Sequence, residues 1–318
     1  VFASVFLVSV GLQWEPQGRR KAGRVLVDEH HSTWERTDRP YDQDWYGHES
    51  GYNYACIYDY CSHFYQMERL NTRIEAQTLE SCDVLIVKVP TSRYGRDEID
   101  AIERFVDEGG GLLLVGEHTN VFNTGTHIND IARRFGFRFR YDCLFDIDTV
   151  FEQSWDRPAI PHPVVQHIPR QDLAVSCSVS PGASRGRAVI RSTGLRNLTA
   201  DYHVRNYYPQ VEDHAHSRYG AFIQLWAKRR GTGRVVAFTD STIFSNFSTF
   251  EPGKAELMLG MVEWLNHRNP RLDPRGGLLL AGAVLGVAGI AGIRKQRGTL
   301  VLVVGLALCA WAVASLAI

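Results

Sequence analysis

Three clusters of polar side chains follow short apolar runs in this sequence. Asp28, Glu29, His30 and His31 come directly after Val25, Leu26 and Val27. Glu117, His118 and Asn120 come after the run 112–115, and Asp240, Ser241 and Asn246 after the run 234–238. Carboxylates and imidazoles brought to one place can hold a divalent metal or divide the roles of general acid and general base. No HExxH spacing marks a metal centre, so a divalent metal stays one option and its ligands open. If Asp28 lies in a strand, alternation puts His30 on its side and His31 on the other. Each cluster also has a plainer explanation, in which Asp28 and Asp240 cap turns and the histidines are hydrogen-bonded loop residues.

The runs that precede these clusters have the length and composition of buried parallel strands, which read as continuous apolar segments. The stretch 109–120, GGGLLLVGEHTN, is the clearest. Ligands of open α/β sheets bind beyond the carboxyl ends of such strands, so the three clusters are expected to converge on one cleft. Other elements fit an alternating pattern. Residues 54–69 read as a helix, a short second strand is expected within 71–79, and CDVLIVKV (82–89) is a third strand. Ile99, Ile102, Phe105 and Val106 have helical spacing in 96–108, with acidic residues early and Gly109 at the end. Residues 127–135 form the next helix, with His127, Asn129 and Asp130 as capping residues, and 137–141 offers a strand. The segment 142–231 is broken by prolines and carries short alternating runs, which suggests β-rich additions. Strands at 221–227 and 234–238 and a helix at 254–266 close the domain, which spans 24–268.

Lys+Arg and Asp+Glu balance at 35 each in 318 residues, and no basic-aromatic stripe is present, so nucleic acid is not an expected partner. None of the six cysteines forms a CxxC pair; buried free thiols are expected, Cys56 and Cys61 among them. Residues 34–54 are rich in Trp, Tyr, Asp and His and read as a surface loop over the strand ends, with Trp34 a stacking surface. The histidines in 162–168 read as structural, and His214 and His216 as a solvated loop.

Three segments are strongly apolar. Residues 1–12 read as part of a membrane helix or a signal segment. Residues 276–293 and 298–318 carry no charge, are close to the roughly 20 residues that span a bilayer, and read as a transmembrane hairpin, with Gly282 and Gly286 allowing close helix approach. Lipid is then a partner and the cell membrane the location. The basic loop RKQR between the two segments favours an extracytoplasmic domain, while Arg19, Arg20, Lys21, Arg24, Arg268, Arg271 and Arg275 pull the other way; the orientation stays open.

Taken with CDVLIVKVP and GRVVAFTDSTIFSN, the stretch GGGLLLVGEHTN resembles the class I glutamine-amidotransferase-like superfamily. Its non-amidotransferase branches are nearest: trehalose-utilisation-like proteins, gliding-motility auxiliary transport proteins and uncharacterised bacterial membrane proteins. The resemblance implies a flavodoxin-like three-layer α/β sandwich with a parallel sheet. The family's nucleophilic cysteine sits in G-x-C-x-G; here His118 takes that place within Gly116-Glu117-His118-Thr119-Asn120, and Asp240-Ser241-Thr242 stands where a His-x-Glu pair belongs. Glutamine hydrolysis is therefore not expected. The expectation is a membrane-anchored domain that binds a polar ligand, a saccharide or envelope component, in support of a membrane transport or envelope system and its other membrane subunits. Asp28, His30, His31, Trp34, Asn120, Ser241 and Asn246 would bind the ligand. The alternative is a metal- or acid/base-dependent hydrolase in which Asp28, His30, Glu117, His118 and Asp240 would hold a metal or activate water, with Glu117, His118 and Asp240 catalytic.

Overall fold

The computed structural model describes residues 1–40, 49–148, 153–174, 176–182, 184–199, 215–270, 272–293 and 300–317. Its contacts divide the chain into two units: residues 18–157 with 161–269, and residues 1–17 with 158–160 and 270–318.

The larger unit is built on one eight-stranded sheet. In chain order its strands are β1 (Arg24–Asp28), β2 (Gln66–Leu70), β3 (Val84–Lys88), β4 (Gly111–Val115), β5 (Asp142–Asp146), β6 (Arg187–Thr199), β7 (Arg218–Arg230) and β8 (Gly233–Phe238). They lie side by side as β2-β1-β3-β4-β8-β7-β6-β5. The first five are parallel, and their spatial order is that of a flavodoxin-like doubly wound sheet. The last three are antiparallel, so the sheet is mixed rather than wholly parallel.

The four inner parallel strands, β1, β3, β4 and β8, are mostly apolar because both faces are covered. Val25, Val27, Val84, Ile86, Leu113, Val115, Val236 and Phe238 face one core, with α2 (Ala55–Ser62) and α6 (Lys254–Leu265) upon it. The residues between them, among them Leu26, Leu85, Val87, Leu112 and Leu114, face the other. That face is covered by α3 (Ala76–Glu80), α4 (Arg96–Asp107) and α5 (Thr124–Ala132). A one-residue slip would exchange the faces of every strand residue. Each buried Leu, Ile or Val contributes about 1.5–3 kcal/mol, so the register is well defined.

Three sequence expectations need correction. The helix expected over 54–69 stops at Ser62, and Gln66–Leu70 is the second strand. That strand is largely exposed at the sheet edge, so it lacks the apolar run of the others. The strand sought in 71–79 is instead the short helix α3. Asn129 does not cap a helix: its side chain brackets the Phe139 backbone, accepting from N (2.8 Å) and donating to O (2.9 Å). Residues 142–146, 187–199 and 218–230 supply the antiparallel strands, while Gln153–Trp155 pairs with Gln171–Leu173 as a separate ribbon. All six cysteines are free; Cys61 is buried and Cys56 half-buried.

The smaller unit holds three apolar helices, α1 (Phe2–Gln13), α7 (Pro274–Ile293) and α8 (Leu300–Ala317). One described helix, Pro274–Gly292, is long and apolar enough to cross a membrane. The polarity of this unit is inverted. Small residues face inward: Ser4 Oγ donates to Gly282 O (2.7 Å), and a Cβ on Gly282 would lie 2.7 Å from Val8. Leu280, Val284, Val287, Ile290, Leu302, Leu308 and Trp311 are exposed. The basic loop 294–297 lies outside the described residues.

Candidate strand-end site

At the carboxyl ends of the parallel strands the chain leaves ordinary backbone geometry. Among the described residues six non-glycines have positive φ: Glu35, Val89, Thr119, Asn120, Phe122 and Asn123. All follow β1, β3 or β4. Such conformations cost about 1–3 kcal/mol each and gather where function demands them. Gly116 opens the β4 turn, where a Cβ would lie 2.7 Å from the Phe139 ring.

The centre of the site is a chain of buried oxygens. Ser241 Oγ lies 2.8 Å from Glu35 Oε1 and 2.5 Å from Glu117 Oε2. Glu117 also accepts from Thr242 N (3.2 Å), Thr242 Oγ1 (3.0 Å) and His118 N (2.8 Å). Tyr54 OH donates to Ser241 O (2.5 Å). Burial, reinforced by the Glu117 carboxylate, pushes the Glu35 carboxyl up to about 8. The same causes push Asp240 up to about 8. Asp240 Oδ2 accepts from Ala174 N (2.6 Å), while Asp240 Oδ1 and Glu35 Oε2 are buried without a hydrogen-bond partner among the described residues. Beside them Lys88 Nζ lies 3.2 Å from Glu29 Oε1 and donates to Ser32 Oγ (3.4 Å); Glu29 in turn accepts from Thr37.

A second cluster surrounds His31. Its Nδ1 lies 3.0 Å from Asp28 Oδ2 and its Nε2 3.4 Å from Glu98 Oε1. Tyr94 OH donates to Asp28 Oδ2 (2.7 Å). The strand ends at Asp28, whose Oδ1 accepts from both His30 N and His31 N. Alternation does not extend through that turn, so Asp28 partners His31, and His30 is exposed. This corrects the expected pairing of Asp28 with His30.

The other expected residues divide between placement and contact. His118 is buried with its Nδ1 2.8 Å from Thr119 Oγ1. Asn120 Oδ1 accepts from Thr126 N (2.7 Å) and so ties the strained turn to α5. Asn246 accepts from Cys56 N (2.9 Å) and donates to Arg39 O (3.1 Å); those bonds make it a brace for the covering loop. Trp34 packs on Phe122 (5.1 Å between ring centroids) and Tyr52 (5.7 Å), and Tyr52 on Phe247 (5.2 Å). This aromatic row is partly exposed. The part of the aromatic loop at 41–48 and His214 lie outside the described residues. Among the described residues no three His, Cys, Asp or Glu side chains are placed to hold a metal ion.

Glu35, Tyr54, Lys88, Tyr94 and Glu98 were not singled out from the sequence. Lys88 had a visible signal, being a lone cation within the apolar run 82–89. Glu35 had none, because it reaches the site from a loop.

The model of a domain of unknown function, DUF4350, matches residues 63–262. The chain belongs to the DUF4350 family. That match covers β2 to α6 and so includes the β3, β4 and β8 ends of the site. No curated protein matches the chain. Among solved structures, the mmIFT52 N-terminal domain is similar, with TM-score 0.54 and 13% identity over 78% of this chain and 100% of that one. At that identity the likeness shows the fold alone. A ThuA-like protein from Bacteroides uniformis has TM-score 0.48 and 14% identity over 79% of this chain and 94% of that one. One from Parabacteroides merdae has TM-score 0.46 and 11% identity over 79% and 93%.

Proposed function

We propose that this DUF4350 chain is a membrane-tethered binding protein whose strand-end site holds a polar, hydroxyl-bearing ligand, a saccharide or an envelope component. The observation that carries the reading is the juxtaposition of two features on neighbouring residues. Trp34 offers a partly exposed ring in a row of aromatics, and Glu35, the next residue, brings into a buried acid network a carboxyl oxygen with no hydrogen-bond partner among the described residues. Sugar rings use both kinds of surface, an apolar face for stacking and hydroxyls for carboxyl groups. The inverted polarity of α1, α7 and α8 supports the tether, since small residues at helix contacts and apolar residues outside suit a lipid solvent. Other membrane subunits of a transport or envelope system would then be its partners. The basic residues flanking the helices support a cytoplasmic domain, and the loop at 294–297 an extracytoplasmic one.

A second reading is a hydrolase. It draws on the paired carboxyl groups: a Glu35 that keeps its proton to about pH 8 can serve as a general acid beside Glu117 as base. Ligand-observed magnetic resonance on the full chain in neutral detergent separates the two. Trehalose, cellobiose and the cell-wall disaccharide are the probes. Binding without product supports the binding reading; product that disappears in Glu35→Gln and Glu117→Gln supports the hydrolase. No binding to any probe removes the saccharide from the proposal.

A further inference from the structure

The opposite end of the sheet carries a basic hollow of about 270 Å3, lined by Arg19, Arg20, Lys21, Ala22, Asp83 and Arg268. Part of its charge is already matched. Arg20 pairs with Glu263 (3.1 Å), and Asp83 accepts from Arg24 N (3.0 Å) and Nε (3.3 Å). Lys21 Nζ donates to Asp83 O (2.6 Å) and Gly109 O (3.0 Å), and burial pushes its ammonium down to about 7. Arg19 and Arg268 are different. They stand directly opposite each other in an antiparallel pair, both exposed, and neither meets a carboxylate among the described residues. Like charges in that relation repel. The backbone nevertheless holds them together: a Cβ on Gly18 would lie 2.0 Å from Arg268 O, so the strands cannot approach in this way with a larger residue there.

An anion between the two guanidinium groups would convert that repulsion into two charge-assisted contacts. The planar donor fork of arginine fits a phosphoryl group. Position along the chain says which phosphoryl group. Arg19 lies six residues beyond the end of α1 at Gln13, and Arg268 six residues before the start of α7 at Pro274. Six residues reach at most about 20 Å, so a residue at either place stays close to the headgroup layer of any bilayer those helices enter. We infer that this hollow binds the phosphodiester of an anionic phospholipid through Arg19 and Arg268, with Lys21 Nζ behind them. The inference rests on the membrane tether proposed above.

The test uses the full chain. Membranes from expressing cells are first extracted without detergent. A chain that leaves with the soluble fraction removes the tether, and the lipid site with it. If the chain needs detergent, native mass spectrometry compares retained phosphatidylglycerol with phosphatidylcholine for the unaltered protein and for Arg19→Gln/Arg268→Gln. Arg170→Gln/Arg191→Gln serves as a surface control. The expected result is preferential retention of phosphatidylglycerol, weakened roughly 10- to 30-fold in the first variant and unchanged in the control. Equal retention of both lipids, or no effect of the Arg19/Arg268 variant, overturns the lipid site while leaving the tether intact. Titration with inorganic phosphate and glycerol 3-phosphate distinguishes the source: affinity equal to that for phosphatidylglycerol would assign the hollow to a soluble phosphate ester and overturn the lipid assignment.

Discussion

Ser241 has one hydroxyl hydrogen and two carboxyl neighbours. Its Oγ is 2.8 Å from Glu35 and 2.5 Å from Glu117. A hydroxyl donates once, so one of the two contacts is made by a carboxyl group that keeps its own proton. Glu35, pushed up to about 8 by burial and by Glu117, is that group. Replacing Ser241 with Ala leaves two carboxyl oxygens without their bridge. We expect a loss of about 1–3 kcal/mol in unfolding free energy, measured by denaturant titration at neutral pH.

The same carboxyl groups give a pH dependence. Between about pH 4 and pH 8 the unfolded chain has lost the protons that folded Glu35 and Asp240 retain. Unfolding then releases protons, so their contribution to stability falls as pH rises through that window and levels off above it. Thermal unfolding of the unaltered protein at pH 5 to 8.5 should show the fall. Glu35→Gln and Asp240→Asn should each flatten it, and a slope unchanged in both would show that neither acid is held protonated.

How much of this was legible from residues alone differs by element. The runs 25–27, 84–88, 111–115 and 233–238 declare themselves, because a strand covered on both faces has few polar positions to interrupt it, Lys88 and Arg234 being the exceptions here. The edge strand Gln66–Leu70 is hidden for the opposite reason, being mostly exposed. Glu117, Asp240 and Ser241 follow apolar runs and were visible. Glu35 and Tyr54 arrive from a loop, where spacing carries no positional information. The Asp28 turn defeated a reading by alternation because the side chain itself ends the strand by accepting two backbone N–H groups.

Asn123 tests the strain in the turn after β4. It has φ 62° at the start of α5 and makes no side-chain capping bond. Glycine adopts that geometry freely. Asn123→Gly should therefore leave stability unchanged or raise it by up to about 1 kcal/mol, whereas Asn123→Val should lower it by about 1–2 kcal/mol. Chemical denaturation of the pair provides the comparison.

Lys88 is buried against Glu29 with the network of Thr37 and Ser32 around it. Lys88→Met keeps much of the volume and removes the charge. It removes the nearer of the two cations beside the buried Glu29, leaving Arg36 at 3.9 Å, and should cost up to about 3–5 kcal/mol. The double variant Lys88→Met/Glu29→Gln should recover a large part of that loss in the same assay.

Gly282 tests the packing of α7. A Cβ there would meet Val8 at 2.7 Å and Ser4 O at 3.0 Å. Gly282→Leu should lower stability in detergent by about 1–3 kcal/mol, read as a lower unfolding temperature, while Gly277→Leu, which has open space around its Cβ, should change little.

The central claim is that the strand-end site binds a polar ligand against Trp34. Its most direct test is isothermal titration of the full chain in neutral detergent with trehalose, cellobiose and the cell-wall disaccharide, repeated on Trp34→Ala. The account predicts that at least one probe binds with Kd below about 1 mM, that Trp34→Ala weakens it at least about tenfold, and that the variant unfolds at the same temperature as the unaltered protein. Absence of binding by every probe, or equal binding to Trp34→Ala, would contradict it.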